Sequence, residues 1–414
     1  MDHGTAEVSG TLVEKAVATL NTLQISKESR DQTKVKRPQH SPLTQAERFA
    51  EIRDLPVDQL DKLAAIHVAG TKGKGSVCAF CESILRNCGY KTGFYSSPHL
   101  SEVRERIRIN GKPISKELFT HYFWDCWANF EITKKRYGTF LVFMAFHVFL
   151  KEKVDVAVIE VGCGGEYDAT NVIRQPVVCG ITLLDKDHLH ILGGTVESIA
   201  WHKAGIFKAG VPAFTVPQEP ASMKVLSERA RERQACLKIV PDLFANTERN
   251  FPALGIEGKH QHQNASLAVH LCRTWIERRN DAHNVVLHEV NSSSDSQSPP
   301  YADAFSLPEG FKEGLAKAFW PGRTQCVERE DFTFYLDGAH TRKSIEACTE
   351  WFCEKSKQER QRKSHKTMAR ILLFNFKGDR NARSLLEPLV KCDFDYVAFC
   401  PNLLKDEPQS TTSG

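Results

Sequence analysis

An excess of charge of either sign is missing: 55 Lys and Arg stand against 51 Asp and Glu, a formal net charge of +4 spread over 414 residues. No broad nucleic-acid footprint is expected from that balance, and an anionic ligand must be held by a local cluster. Long apolar runs are missing too. The most apolar stretch, Phe140 to Leu150, is far shorter than the roughly 20 residues a membrane-spanning helix needs, and Lys151 and Lys153 follow it. An integral membrane segment is therefore not expected. The start, Met1-Asp2-His3-Gly4, has neither a basic residue ahead of an apolar run nor an Arg-rich amphipathic pattern, which points to a cytoplasmic form; mitochondrial forms would need a longer N-terminus. The 13 cysteines lack the spacing of a disulfide framework and read as reduced, mostly buried thiols. Cys78 and Cys81 form a C-x-x-C at i and i+3 of an expected helix, with no second pair or nearby His, so core packing is favoured over zinc or redox chemistry. What is present, 41% hydrophobic and 26% charged residues with mean hydropathy −0.37, is the usage of a globular chain of two or three domains.

Helical spacing runs through residues 11 to 24, followed by a polar stretch from Ser26 to Gln45 that Pro38 and Pro42 interrupt. From Ala64 onward strands and helices alternate. Ala65 to Ala69, Thr92 to Tyr95, Val154 to Val161 and Val177 to Leu184 read as buried strands, while 77–87, 118–135 and 139–152 read as helices. This order predicts an α/β fold with a doubly wound, mostly parallel sheet whose ligands lie at the C-terminal strand ends. Asn291 to Pro300 has linker composition, placing a boundary between an ATP-binding domain at 1–300 and a smaller α/β, Rossmann-like unit at 301–414. The basic stretch Lys355 to Lys366 has too few aromatics for a nucleic-acid platform and reads as a solvated helix end.

Gly70-Thr71-Lys72-Gly73-Lys74-Gly75-Ser76 lies between a strand and a helix, where backbone N–H groups and a helix N-terminus can cradle phosphate oxygens. Lys74 supplies positive charge. The usual P-loop spacing would place a Gly at Val68, so this is a shortened variant. Glu160 closes an apolar strand, a costly place for a carboxylate that is neither paired nor metal-bound. Ser96-Ser97-Pro98-His99 and Asp187-His188 follow neighbouring strands, so a hydroxyl, a carboxylate and an imidazole could gather around Mg²⁺ and phosphates. Each alone could equally be a satisfied core residue. Arg323 after Pro321-Gly322 could be a hinge charge, Asp337-Gly338 a turn, and Tyr167-Asp168-Ala169-Thr170-Asn171 an Asx-capped loop.

Taken in order, the motifs resemble the folylpolyglutamate synthases of the Mur ligase superfamily, with the likeness closest to animal forms and running from about Val13 to Asn402. They are Gly70–Ser76, Ser96–Leu100, Arg104–Gly111, Glu160–Asn171, Asp187-His188, Lys203–Lys208, Trp320–Gln325 and Asp337–Thr341. The resemblance implies ATP-dependent γ-linkage of L-glutamate to reduced folates and folylpolyglutamates through an acyl phosphate, serving folate retention and one-carbon metabolism. It implies Mg²⁺, ATP as co-substrate, a monovalent cation such as K⁺ as accessory, and a monomer. Carried over residue by residue, Gly73, Lys74, Gly75 and Ser76 form the ATP phosphate site, and Ser97, Glu160 and His188 the magnesium ligands. Lys203 occupies the carbamylated position, and Lys74, Lys203 and His188 are the residues nearest the chemistry. Asn264 matches the adenine-side motif with Gln263 in place of His, and Arg323 and Asp337 match ATP contacts. Tyr167, Asp168, Thr170, Asn171 and His340 are substrate-side candidates.

Three departures stand out. Arg136 to Phe140 is shorter than the family's segment before Met144, and Asp185-Lys186 replaces a Gly-containing turn where positive φ is expected. The chain also ends soon after Asn402, implying a truncated second sheet. Two rival readings follow: a weakly active or inactive nucleotide-binding isoform or paralogue, and a P-loop phosphotransferase that would leave Arg323 and Asp337 unused.

Overall fold

The computed structural model describes residues 3–24, 57–129, 137–244, 253–280, 298–362, 368–375 and 382–400. The polar stretch Ser26–Gln45, Arg136, linker residues Asn291–Ser296 and Gln297, the end of the basic stretch at 363–366 and residues 401–414 lie outside them. The chain divides into two compact units, one of residues 1–255 and 261–320, the other of 256–260 and 321–414.

The first unit is built on β1 (Ala65–Ala69), β2 (Thr92–Tyr95), β3 (Ile107–Ile109), β4 (Lys112–Pro113), β5 (Val156–Glu160), β6 (Val178–Ile181), β7 (Pro212–Thr215) and β8 (Cys236–Ile239), in the order β4-β3-β2-β5-β1-β6-β7-β8. Pairing is parallel from β2 to β8, and β3 and β4 form an antiparallel edge. β1, β2, β5 and β6 are buried at every position, as befits central strands covered on both faces. One apolar cluster joins Ala16 and Leu20 of the His3–Asn21 helix to Phe119, Phe123, Phe140, Phe146 and Phe149; another gathers Ile206, Phe207 and Leu226. Trp275 is fully buried, and its indole N–H donates to Ala64 O at 2.8 Å. No helix among the described residues is long and apolar enough to cross a membrane.

The units divide at Trp320/Pro321, later than the boundary expected at 300/301. Packing explains the shift. The Glu309–Lys317 helix buries Phe311 and Leu315, and Lys317 reaches Asn87 on the Lys74–Asn87 helix, so this segment belongs to the first unit although it follows a linker-like sequence.

The second unit carries an antiparallel hairpin of β9 (Gln325–Glu328) and β10 (Thr333–Leu336) and a parallel pair of β11 (Ile371–Phe374) and β12 (Tyr396–Phe399). Between them runs the Arg342–Arg362 helix, burying Ile345 and Trp351. Glu359 on this helix accepts hydrogen bonds from Thr333 Oγ1 and Tyr335 O–H, each at 2.5 Å, tying helix to hairpin.

Candidate functional site

β1 delivers the chain into a tight loop. Thr71 and Lys72 N–H both donate to Leu183 O at 3.1 Å, and the helix begins at Lys74. Gly73 has φ 91°, and a Cβ there would stand 2.3 Å from Asn264 Oδ1, so both backbone and space demand glycine. A Cβ on Gly75 would lie 2.9 Å from Trp320 Nε1. Asn264 is held by its neighbour Gln261, Nδ2 donating to Oε1 at 2.8 Å, and Trp320 is held by Phe94 (centroids 5.0 Å apart) and the Arg108 guanidinium (4.8 Å). Two fixed side chains thus wall a helix N-terminus, whose unpaired N–H groups and dipole favour an anion. Lys72 is spent on Asp187 at 3.3 Å.

Glu160 ends β5 opposite Val68 of β1 and is only 6% exposed. Its Oε2 accepts the Ser97 N–H at 3.3 Å and lies 3.6 Å from the Cβ position of Gly75. The carboxylate therefore meets both the Ser97 loop and the phosphate-loop helix. A buried carboxylate against a serine-bearing loop offers hard oxygen donors, which fit Mg²⁺. His188 takes up the left-handed conformation (φ 51°) expected three residues earlier, at Asp185, and its N–H donates to Asp187 Oδ1 at 2.9 Å. Its side chain is exposed. Among the described residues no three His, Cys, Asp or Glu side chains gather into a metal cluster; the expected set has only two such members.

Lys203 closes the Val196–Lys203 helix, and its Nζ donates to Gly70 O at 2.6 Å. Burial, with Lys74 adding, pushes its pKa down to about 7, while Cys163, Asp187 and Asp168 oppose the shift. Asp168 caps the turn at Ala169–Val172, accepting the Thr170 N–H at 3.0 Å and hydroxyl at 2.6 Å through Oδ1 and the Cys163 N–H at 3.0 Å through Oδ2. The Asx-capped loop considered from sequence is thus the arrangement observed. Thr170 and Asn171 are buried, Asn171 Nδ2 donating to Glu166 O and Gly205 O at 3.1 and 3.0 Å. Tyr167 lies exposed, its ring T-shaped on His202 at 5.7 Å.

In the second unit, Asp337 follows β10 and staples two loops, its Oδ2 accepting the Thr324 N–H and its Oδ1 the Ala339 N–H, both at 2.8 Å. Gly338 N–H donates to Gly322 O at 2.9 Å, and Arg323 Nη1 donates to that same carbonyl at 3.0 Å. His340 Nδ1 is 2.8 Å from Gly338 O. The Pro321–Thr324 and Asp337–His340 motifs therefore form one constellation within that unit. All thirteen cysteines are free, Cys78 and Cys81 both buried on their helix. Sequence reasoning passed over His67, a fully buried imidazole inside the apolar β1; the signal that exposed Glu160, a polar group in a buried strand, was available there too.

No protein-family model matches the chain. A curated Homo sapiens protein named folylpolyglutamate synthase, mitochondrial, is 50% identical over 399 residues, which are 94% of this chain and 67% of that protein. Mycobacterium tuberculosis folylpolyglutamate synthase complexed with ADP has the same fold at TM-score 0.69 and 24% identity, covering 94% of this chain and 82% of that one. A bifunctional folylpolyglutamate synthase/dihydrofolate synthase with Mn, AMPPNP and L-glutamate bound matches at TM-score 0.64 and 27% identity, over 85% and 78%.

Proposed function

The chain belongs to the folylpolyglutamate synthase family, and from that premise we propose that it joins L-glutamate in γ-linkage to reduced folates and folylpolyglutamates at the expense of ATP. The γ-carboxylate oxygen attacks the terminal phosphorus of ATP and ADP leaves, giving an acyl phosphate. The amine of glutamate then attacks the acyl carbon; the C–N bond forms, the C–O bond to phosphate breaks, and the amine loses a proton. Both steps load negative charge onto oxygens, which fixed donors and cations stabilise.

The observation that carries this reading is the buried Glu160 carboxylate set against both the Ser97 loop and the N-terminus of the phosphate-loop helix. Gly73, Gly75 and Ser76 present backbone donors to the phosphates, and Lys74 contributes charge. Ser97, Glu160 and His188 would hold Mg²⁺, which supplies charge neutralisation for the transferring phosphoryl group. K⁺ is assigned no residue. Lys203 is read as the site of a carbamate: its lowered pKa makes neutral amine present at neutral pH, which can attack CO₂ and release a proton to solvent. Asn264 is assigned to the adenine side. Arg323 and Asp337 are assigned to ATP by motif. Tyr167 and His340 are assigned to substrate; Asp168, Thr170 and Asn171 are assigned to shaping the loop that presents Tyr167.

Product analysis on the whole chain tests the reading. Ligation consumes glutamate and releases phosphate in a folate-dependent reaction. A stable phosphorylated product would instead favour a phosphotransferase, and ATP binding without turnover a nucleotide-binding relative of the enzyme.

A further inference from the structure

His67 lies in the middle of β1, paired in register with Ile159 on one side and Cys179 on the other, and has no exposed surface. Packing alone would favour an aliphatic residue there, as at Ile66 and Val68. Its ring Nε2 is 2.9 Å from Thr170 Oγ1, while Nδ1 has no hydrogen-bond partner among the described residues. A buried ring nitrogen without a partner is destabilising, so the other nitrogen must matter.

The direction of that contact can be deduced. Asp168 accepts the Thr170 N–H at Oδ1 and the Cys163 N–H at Oδ2, and the carboxylate is likewise the acceptor in its contact with the Thr170 hydroxyl. The Thr170 hydroxyl proton must therefore point at Asp168 Oδ1, 2.6 Å away, leaving only its lone pairs for the imidazole. The imidazole must donate, which fixes the tautomer with hydrogen on Nε2 and a bare lone pair on Nδ1. Burial, assisted by the positive charge of Lys208, pushes the ring pKa down to about 3, so the ring is neutral at neutral pH.

We propose that His67 is a positioning residue: its Nε2–H, the Thr170 hydroxyl and the Asp168 carboxylate form a one-way hydrogen-bond chain that ties the strand feeding the phosphate loop to the loop after Glu160. The far end of the chain is where it acts. Asp168 Oδ2 takes the Cys163 N–H and lies 3.2 Å from the Cβ position of Gly162, with Ser97 Oγ 3.6 Å from that same point. A displaced Asp168 therefore disturbs the Gly162-Cys163 turn beside the Ser97 hydroxyl. Its effect on rate rests on the ligase reading above, but its effect on tautomer and loop order does not.

Three measurements on the full chain test it. Long-range ¹H–¹⁵N correlation of histidine-labelled protein, with His67 assigned by its loss in His67→Gln, should show a neutral ring protonated at Nε2 from about pH 6 to 8. Amide exchange over Gly162–Asn171 should quicken in His67→Leu and Thr170→Val but not in His67→Gln, which keeps an N–H donor near the Nε2 position, nor in Thr170→Ser. The ligation kcat should fall about 10- to 100-fold in His67→Leu and Thr170→Val with KM for ATP unchanged, recover in the two conservative variants, and fall no further in the double variant. Thr170→Val keeps the test open if His67→Leu does not fold. An Nδ1-protonated ring, Gln as damaging as Leu in folded protein, or multiplying effects in the double variant would overturn the proposal. A wild-type chain without ligase activity would refute the reaction and leave the first two measurements to decide the chain.

Discussion

Lys74 stands at the first position of the phosphate-loop helix and is only half-buried. Lys74→Ala should therefore abolish ATP turnover, by about 10²-fold or more, with an unchanged melting temperature, because it removes charge and not packing. Wild-type turnover in the folded variant would refute the phosphate-site assignment. Lys203 permits a different test. Arg keeps a cation but cannot carry a carbamate, so Lys203→Arg should be as inactive as Lys203→Ala, and removal of CO₂ should lower wild-type activity. Its titration has a definite sign. In CO₂-free buffer the unfolded chain keeps the Lys203 proton up to its ordinary pKa near 10.5, whereas the folded chain sheds it near 7. Between those values the unfolded state binds more protons, so the contribution of Lys203 to stability rises with pH across that window, and below about 7 its full penalty is felt. In denaturant unfolding of wild type and Lys203→Met at several pH values, the stability of wild type relative to the variant should rise across that window, because the other titrating groups are common to both.

At the scale of the element, short capping interactions decide where functional side chains stand. Thr195 is exposed, and its Oγ1 accepts the Ser198 N–H at 3.2 Å, capping the eight-residue helix that ends at Lys203. Thr195→Ala should destabilise the protein by about 1 kcal/mol and Thr195→Ser by much less, read as a shift in denaturation midpoint. Equal loss in both would show that the cap is not what the helix needs. The central strands were legible because they are buried on both faces: β1 and β2 have the bounds expected from their apolar runs. β7 and β8 went unread, since four residues apiece with a leading Pro212 or an exposed Cys236 leave no periodicity to detect. The phosphate-loop helix starts three residues before the expected Val77, because Lys74-Gly75-Ser76 look like loop in sequence yet supply the first helical turn. At the site, Glu160 was legible because a carboxylate is conspicuous in an apolar strand. The Asp168 cap was not separable from a ligand role, since both use the same residue types and only the hydrogen-bond partners distinguish them.

At the scale of the molecule, the two units differ in how their strands are covered. β1, β5 and β6 are wholly buried, whereas β12 is exposed at all four positions and Leu373 of β11 is 67% exposed. Each sheet of the second unit has two strands among the described residues, and two-stranded sheets are marginal without a packed face. Backbone amides of 371–374 and 396–399 should then exchange at least about a hundredfold faster than those of 66–69, because their opening does not require the main core to open. Equal protection would mean that both units unfold as one. The walls around Gly73 and Gly75 also have a genetic consequence. An alanine at 75 collides only with the Trp320 side chain, so a second-site change that shrinks residue 320 can suppress it. An alanine at 73 keeps an unfavourable φ even after Asn264 is trimmed away. A reversion screen begun from Gly73→Ala should accordingly return glycine at that codon, whereas one begun from Gly75→Ala should also return compensating alleles far away in the gene.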